Sequence, residues 1–405
     1  MHLALIAAHF PPVQSSCAVQ MRDLGAELVR QGHRVTFLVP DPTLDDCFAL
    51  EETCGIHVLR LKAPGTSGRS YAARTIAEFL MPFAMLLNLR RSPLAGACFD
   101  GIIWYSPNIF FGPLVRALKR RSRCRAYLIL RDIFPQWAAD VGVIRSRTAF
   151  RLLSAIADYQ YRLADVIGVQ SSGNLPFCEA RAACSEARIE VLQNWLAPEA
   201  DAGCSIDVAA TPLHGRKIFV YAGNMGVAQG MDRLLHLAAA FRHDPRFGFL
   251  FVGRGTEAAR LKKAAQRERL VNTLFFDAIP PHEIPGLYAQ CHVGLVALDA
   301  RHRTHNIPGK FITYLHSNLP VLAAVNSGND LVELIRRHRL GRVSVDPSGS
   351  DLPALVEQMI GDELRPSASN ERYAEVGRRL FSAETAAAQV AAALVPATSN
   401  DPDHR

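Results

Sequence analysis

The sequence predicts an α/β protein made of two successive doubly wound units with mainly parallel sheets. Three observations carry this. Short, almost wholly apolar runs alternate with amphipathic stretches of helical period, the pattern of strands buried on both faces. The alternation starts twice, at Leu3 and again at Lys217, with a segment rich in Ala, Asp, Gly and Pro in between. The length of 405 residues is too great for one ordinary core.

Leu3 to Ala8 reads as the first strand. The loop Pro11-Pro12-Val13-Gln14-Ser15-Ser16 follows, and Val19, Leu24, Leu28 and Val29 then recur at helical spacing. Gly32 falls just past the helix end, and Val35 to Val39 is the next strand. Strand, helix and strand in this order make a βαβ unit. Met1 to Phe10 lacks a basic leader and runs into two prolines, so it reads as a buried strand and not a signal peptide. Ile102–Trp104, Tyr127–Leu130, Val166–Val169 and Ile189–Leu192 continue the strands, with a helix from about Arg147 to Arg162.

The second series opens with the strand Lys217–Ala222, and the loop Gly223–Gly230 is expected to open a helix ending near Arg242. Strands follow at Phe247–Val252, Thr273–Phe276, Val293–Leu298, Val321–Ala324 and Gly341–Val345, separated by helical stretches, and two helices finish the fold. The expected division is a first unit at 1–196, a linker at 197–215 and a second unit at 216–375. A helical segment at 376–395 is expected to pack back on the first unit, and the polar tail 396–405 to be disordered. Ligands of such sheets bind beyond the carboxyl ends of strands, so a cleft across which the two units face is the expected active site.

The net charge of +7 suits a phosphate-bearing substrate, an anionic lipid or nucleic acid about equally. A nucleic-acid partner is disfavoured because the basic run at 116–125 lacks interleaved aromatics. The nine cysteines form no Cys-x-x-Cys pair, which suggests reduced thiols in a cytosolic protein. No Asp-x-Asp stands at a strand end and no Cys/His cluster has zinc-like spacing, so neither a metal nor a cofactor is expected. No segment reads as the roughly 18 uncharged apolar residues of a membrane span. The nearest, 76–89, contains Phe79, Leu80 and Phe83 but also Glu78 and Pro82. With Arg90, Arg91, Lys119, Arg120 and Arg121 it suits the surface of an anionic bilayer. A buried helix beside a solvated basic helix end is the competing reading.

Four loops offer chemistry. Gly223-Asn224-Met225-Gly226, with Gln229 and Gly230, follows a strand, and its glycines would let backbone N–H groups approach a diphosphate. A tight turn requiring positive φ is the alternative. Gly253-Arg254-Gly255 repeats the arrangement at the next strand end, where Arg254 has the fork that phosphate accepts. In Thr304-His305-Asn306-Ile307-Pro308-Gly309-Lys310, the lysine falls at a helix start, where the dipole disfavours it and a bound anion would reverse the penalty. Arg131-Asp132 follows a strand of the first unit, where a carboxylate could orient an acceptor hydroxyl or act as base; an internal ion pair is the other reading. His9, at the end of the first strand, faces the presumed cleft or is a structural histidine.

Taken in order, these phrases resemble the GT-B glycosyltransferases of family four over nearly the whole chain. The phrases are Phe10-Pro11-Pro12, Gly32-His33-Arg34, Leu130-Arg131-Asp132-Ile133-Phe134-Pro135, Tyr221-Ala222-Gly223-Asn224-Met225-Gly226 and Asn306-Ile307-Pro308-Gly309-Lys310-Phe311. They look closest to the subgroup resembling N-acetyl-L-fucosamine transferases of bacterial O-antigen and lipopolysaccharide assembly. The resemblance implies transfer with retention from a UDP-sugar, an N-acetylated 6-deoxyhexosamine, to a polyprenyl-diphosphate-linked or lipopolysaccharide-type acceptor. The enzyme would work at the inner face of the bacterial cytoplasmic membrane. Implied donor contacts are Gly223, Asn224, Gly226, Gln229, Gly253, Arg254, Ile279, Asn306, Lys310 and Thr313. Catalytic candidates are Asp132, Arg131 and His305; acceptor candidates are His9, Gln14, Ser15 and Ser16.

The chain departs from the family at several of these positions. Asn224 and Gln229 stand where an Arg and a Lys are common, and His305 and Thr313 where two glutamates are usual. Ser15, Ser16 and Cys17 replace frequent glycines. A UDP-sugar epimerase of the same fold and a non-catalytic scaffold of a polysaccharide assembly complex are the alternatives.

Overall fold

The computed structural model describes the chain except residues 14, 67, 69, 141, 198–201, 302–306, 363–370 and 396–405, and except the side chains of 71, 361, 362 and 371. Its residues divide into two compact units, Met1–Trp195 with Ala383–Arg405, and Leu196–Ser382.

The first unit runs β1 (His2–Ile6), α1 (Ser16–Arg30), β2 (Arg34–Asp41), β3 (Phe48–Thr53), β4 (Ile56–Lys62), α2 (Tyr71–Leu89), β5 (Gly101–Tyr105), α3 (Gly112–Ser122), β6 (Arg125–Leu130), α4 (Gln136–Asp140), α5 (Arg147–Tyr161), β7 (Val166–Val169), α6 (Leu175–Glu179) and β8 (Arg188–Val191). The sheet order is β3-β4-β2-β1-β5-β6-β7-β8, parallel except for β3 against β4. The strand order reverses between β1 and β5, so the loops after these strands flank the switch point where a ligand is expected. Helices start where the chain allows it: Ser15 caps α1 by accepting from the Ala18 N–H at 3.2 Å, and Gly32 turns the exit at φ +86°.

Two readings of this unit change. The hairpin of β3 and β4 was not anticipated, because Glu51, Glu52, His57 and Arg60 break its apolar pattern; it forms the sheet edge, where polar side chains are tolerated. Helix α2 begins at Tyr71 and continues through Pro82, so residues 72–89 are, by length and composition, long and apolar enough to cross a membrane, contrary to the shorter stretch expected. A third of that stretch is buried within the protein.

The second unit runs β9 (Lys217–Ala222), α7 (Asp232–Ala240), β10 (Phe247–Val252), α8 (Ala258–Arg267), β11 (Thr273–Phe276), α9 (Ile284–Tyr288), β12 (Val293–Ala297), α10 (Gly309–His316), β13 (Val321–Ala324), α11 (Asp330–His338), β14 (Gly341–Ser344), α12 (Leu352–Asp362) and α13 (Glu371–Phe381). Its sheet, β11-β10-β9-β12-β13-β14, is wholly parallel, and its order reverses between β9 and β12. The segment expected as a linker at 197–215 belongs to this unit as far as it is described. Ile206, Val208 and Leu213 are buried in its core, and the Val208 N–H donates to Gln290 at 2.8 Å. The chain then returns to the first unit as α14 (Ala383–Leu394), whose Ala387, Val390 and Leu394 join the β1 face of that core. The return begins at 383 and not 376, and three helices close the chain where two were expected. α13 stays behind because Tyr373, Val376 and Phe381 are held in the core of the second unit.

Candidate functional site

In the second unit, the ends of β9, β10 and β12 are drawn together by backbone contact. Beyond β9 the ladder continues: Gly223 N–H donates to Val252 O at 2.9 Å, and Met225 N–H to Arg254 O at 2.8 Å. A Cβ on Gly253 would stand 1.9 Å from Gly223 O, and Gly253 has φ +146°, so no other residue fits. Gly230, at φ +55°, lies against the backbone of Asp299, whose N–H donates to Ala228 O at 2.9 Å. The loops after β9 and β12 therefore touch at the switch point.

The helix following Gly223–Gly230 does not begin at the loop. Val227–Gln229 is a single 3-10 turn ended by Gly230, and α7 starts only at Asp232. The helix aimed at Gly223 is α10, and Lys310 lies in its first turn. The Lys310 Nζ sits 4.7 Å from the centroid of the Tyr221 ring, and its Cε is 3.6 Å from where a Gly223 Cβ would be. The side chain is partly buried and has no carboxylate partner among the described residues. Desolvation pulls its ammonium down to about 8. This is a partly desolvated cation held against an aromatic face.

Two tyrosines build that arrangement, and neither is among the site candidates of the sequence. The Tyr221 hydroxyl donates to Asn224 O at 2.6 Å, bracing the loop while its ring supports Lys310. The Tyr314 hydroxyl lies 3.1 Å from both Val220 O and Leu295 O, pinning α10 to the point where β9 and β12 part. Gly294 leaves room for the Tyr314 ring, which a Cβ there would meet at 2.4 Å. A tyrosine four residues after Lys310, on the same helix face, was the available signal.

The remaining donor candidates separate. Gln229 is turned inward: its Oε1 accepts from Gly226 N–H at 2.9 Å and from Asn224 Nδ2 at 3.3 Å, so it clamps the loop. The Thr313 hydroxyl donates to Lys310 O at 2.9 Å within its own helix. Arg254 is exposed, with no partner for its guanidinium among the described residues. Ile279 is half-buried at the edge of the apolar core. His305 and Asn306 lie outside the described residues.

In the first unit, Arg131 is not a site-facing cation. It is 3% exposed, donates to Leu192 O at 2.7 Å and Gln193 O at 3.3 Å, and stacks 4.5 Å over the Trp195 ring. Beside it the Tyr105 hydroxyl donates to Gln20 Oε1 at 2.7 Å, and Trp195 Nε1 to Gln20 O at 2.8 Å. This buried polar group fixes the segment after β8, and the hydrogen bonds of Arg131 run to that segment. Asp132, next along, is half-buried at the end of β6. His9 lies after β1 with Nδ1 3.3 Å from Ser15 Oγ. Burial and then Arg74 hold its imidazole below the ordinary value, and Glu78 opposes them. Ser15 is committed to capping α1, Ser16 is exposed, and Gln14 lies outside the described residues.

On the outer face of α2, Phe79, Leu80 and Phe83 are 50%, 48% and 47% exposed. Arg90, Arg91 and Arg120 are also exposed. Lys119 and Arg121 are half-buried and engaged within the protein: Lys119 pairs with Asp165 at 2.7 Å, and Arg121 donates to the Ala95 carbonyl. Among the described residues no His, Cys, Asp and Glu side chains gather as a metal-holding group.

Residues 16–195 match the family model described as glycosyl transferase 4-like domain, and residues 207–379 that of glycosyl transferases group 1. WcaI of Escherichia coli (strain K12), a glycosyl transferase assigned to colanic acid biosynthesis, is 26% identical over 207 residues, 48% of this chain and 50% of that protein. The match spans about half the length of that relative. Among solved structures, the sucrose-phosphate synthase of Thermosynechococcus elongatus superposes with TM-score 0.74 at 16% identity, covering 96% of this chain and 97% of the other. HepE of Anabaena in complex with UDP-glucose superposes with TM-score 0.66 at 14% identity, covering 97% and 99%. These two share the fold.

Proposed function

Because this chain belongs to the group 1 glycosyltransferases and has their GT-B fold, we propose that its second unit holds a UDP-sugar at the ends of β9, β10 and β12 and that the enzyme transfers the sugar to a lipid-linked acceptor in bacterial surface polysaccharide assembly. The observation that carries the reading is Lys310. An ammonium with no carboxylate partner among the described residues, at the start of α10 and beside a glycine with an open approach, is a place for a diphosphate. Lys310 and Arg254 take the charge that develops on the leaving UDP, and the α10 dipole adds to them.

The loss of the family's cations at Asn224 and Gln229 fits this assignment, since Gln229 braces the loop and leaves Lys310 as its cation. HepE binds UDP and UDP-glucose, which supports the uracil nucleotide over guanine. The donor sugar is an N-acetylated 6-deoxyhexosamine such as N-acetylfucosamine, transferred with retention. The acceptor is a polyprenyl-diphosphate or lipopolysaccharide-type lipid, with Asp132 and His9 on the acceptor side. The exposed face of α2, with Arg90, Arg91 and Arg120, rests on the inner face of the cytoplasmic membrane. WcaI, as a glycosyl transferase assigned to colanic acid biosynthesis, supports the polysaccharide context. The test is a panel of UDP- and GDP-sugars with a diphosphate-lipid acceptor, following transfer and product anomer. Transfer from GDP-sugars alone, or donor hydrolysis without transfer, overturns the assignment.

A further inference from the structure

Helix α2 leaves more apolar surface uncovered than its packing explains. Ile76, Phe79, Leu80, Phe83 and Leu87 share one face and are 47–60% exposed, while Ala77, Met81, Met85 and Leu89 fill the core beneath. Beside this face is an apolar cavity of about 280 Å³. Phe79 and Phe83 line it from α2, Phe110 and Pro113 from the loop and start of α3, and Ala155 and Tyr159 from α5. At about 30 Å³ for a water-sized group it holds on the order of ten such groups, a segment of chain and not a whole lipid.

Its position and surrounding charge narrow the occupant. Phe110 and Pro113 belong to the loop after β5 and the start of α3, and β5 is one of the two strands at the switch point of the first sheet. His9, at the end of β1, lies within the electrostatic reach of Arg74 and Glu78 on α2. Arg116, three residues past Pro113, and Arg151, four before Ala155, are exposed and without an ion-pair partner among the described residues. Arg147 sits in the first turn of α5, where the helix dipole disfavours positive charge, and Arg151 lies one turn further on. An apolar slot with exposed guanidinium groups one helical turn from two of its lining residues matches a hydrocarbon chain that ends in a multiply charged anion.

We propose that this cavity takes the head-proximal segment of the prenyl chain of a polyprenyl-diphosphate acceptor, with Arg116 and Arg151 beside the diphosphate. The proposal rests on the lipid-linked acceptor given above and adds that the chain enters the protein instead of staying in the bilayer.

The test is calorimetric, on the full chain with saturating UDP filling the donor site. Farnesyl diphosphate should bind at least about tenfold more tightly than inorganic diphosphate, given the apolar surface the chain buries. Ala155→Trp, which fills the cavity, should abolish the difference, and Ala155→Ser, which keeps the size, should retain it; circular dichroism reports that each variant is folded. Equal affinity for the two anions in the parent protein overturns the proposal. So does an Ala155→Trp variant that loses binding to anionic lipid vesicles yet keeps its affinity for farnesyl diphosphate, which would make the face a bilayer surface only. Failure of UDP to bind in the same cell sinks the donor reading and leaves the cavity result to stand by itself.

Discussion

Replacing Lys310 by Met separates the cost of this residue from its use. Burial brings its ammonium from 10.5 to about 8, which corresponds to about 3 kcal/mol spent on keeping it charged at pH 7. Partial solvent access lowers this to on the order of 2 kcal/mol. Met replaces the aliphatic stem as far as Cε and removes the ammonium that lies over Tyr221. The ligand-free variant should therefore be more stable, with Tm higher by roughly 4–8 °C for a unit of this size. Turnover should fall by roughly 10²–10³-fold, the usual loss when a donor to developing charge is removed.

The pH dependence follows from the direction of the shift. The unfolded chain holds the proton up to 10.5 and the folded one only to about 8, so the destabilisation is fully present below about 8 and fades as pH rises towards 10.5. UDP binding restores a partner for the charge. At pH 8.5 it should take up a proton, seen as a buffer-dependent binding enthalpy that the variant lacks. Unchanged Tm together with near-normal turnover would refute the placement of an unpaired cation at the donor site.

Three further outcomes are expected. Gly253→Ala should lower Tm and abolish UDP binding, because the Cβ would meet Gly223 O at 1.9 Å; binding measured by calorimetry at the parent affinity would contradict it. Arg131→Met should cost roughly 2–4 kcal/mol in denaturant unfolding by leaving the Leu192 and Gln193 carbonyls without their donor, while UDP affinity is unchanged. If neutral His9 serves the acceptor, the acid limb of kcat/KM should move to higher pH in Arg74→Gln, which removes a charge that lowers its pKa, and to lower pH in Glu78→Gln, which removes one that raises it. Limbs that do not move in these opposite directions take His9 out of the reaction.

Most strands were legible because a parallel strand buried on both faces leaves a plain mark: a short apolar run closed by Gly or a polar loop, as at Lys217–Ala222 or Phe247–Val252. The hairpin at 48–62 left no such mark, since edge strands carry charge. Helix α2 takes in residues 71–75 as well as the stretch from Ile76, because Ser70 caps it there, and Arg74 hides that extension from a count of apolar residues. At the site, the glycines and Lys310 were visible from composition alone, because positive φ and a cation at a helix start are properties of single positions. The burial of Arg131 is hidden for the opposite reason. Its neighbours Leu192, Gln193 and Trp195 lie some sixty residues away in the chain, and a local pattern cannot distinguish an exposed guanidinium from one stacked inside a core.

The sequence by itself determined the doubly wound architecture, the second start at Lys217 and the glycine loops that end its first two strands, because each of these depends on neighbours in the chain. Only the tertiary structure decided which helix start brings a side chain to the Gly223–Gly230 loop, that Gln229 and Thr313 turn to the backbone, and that Lys310 stands over Tyr221 with no carboxylate among the described residues. Strand order put β9 beside β12 across 70 residues of chain, and only that pairing brings Gly223, Tyr221 and Lys310 together.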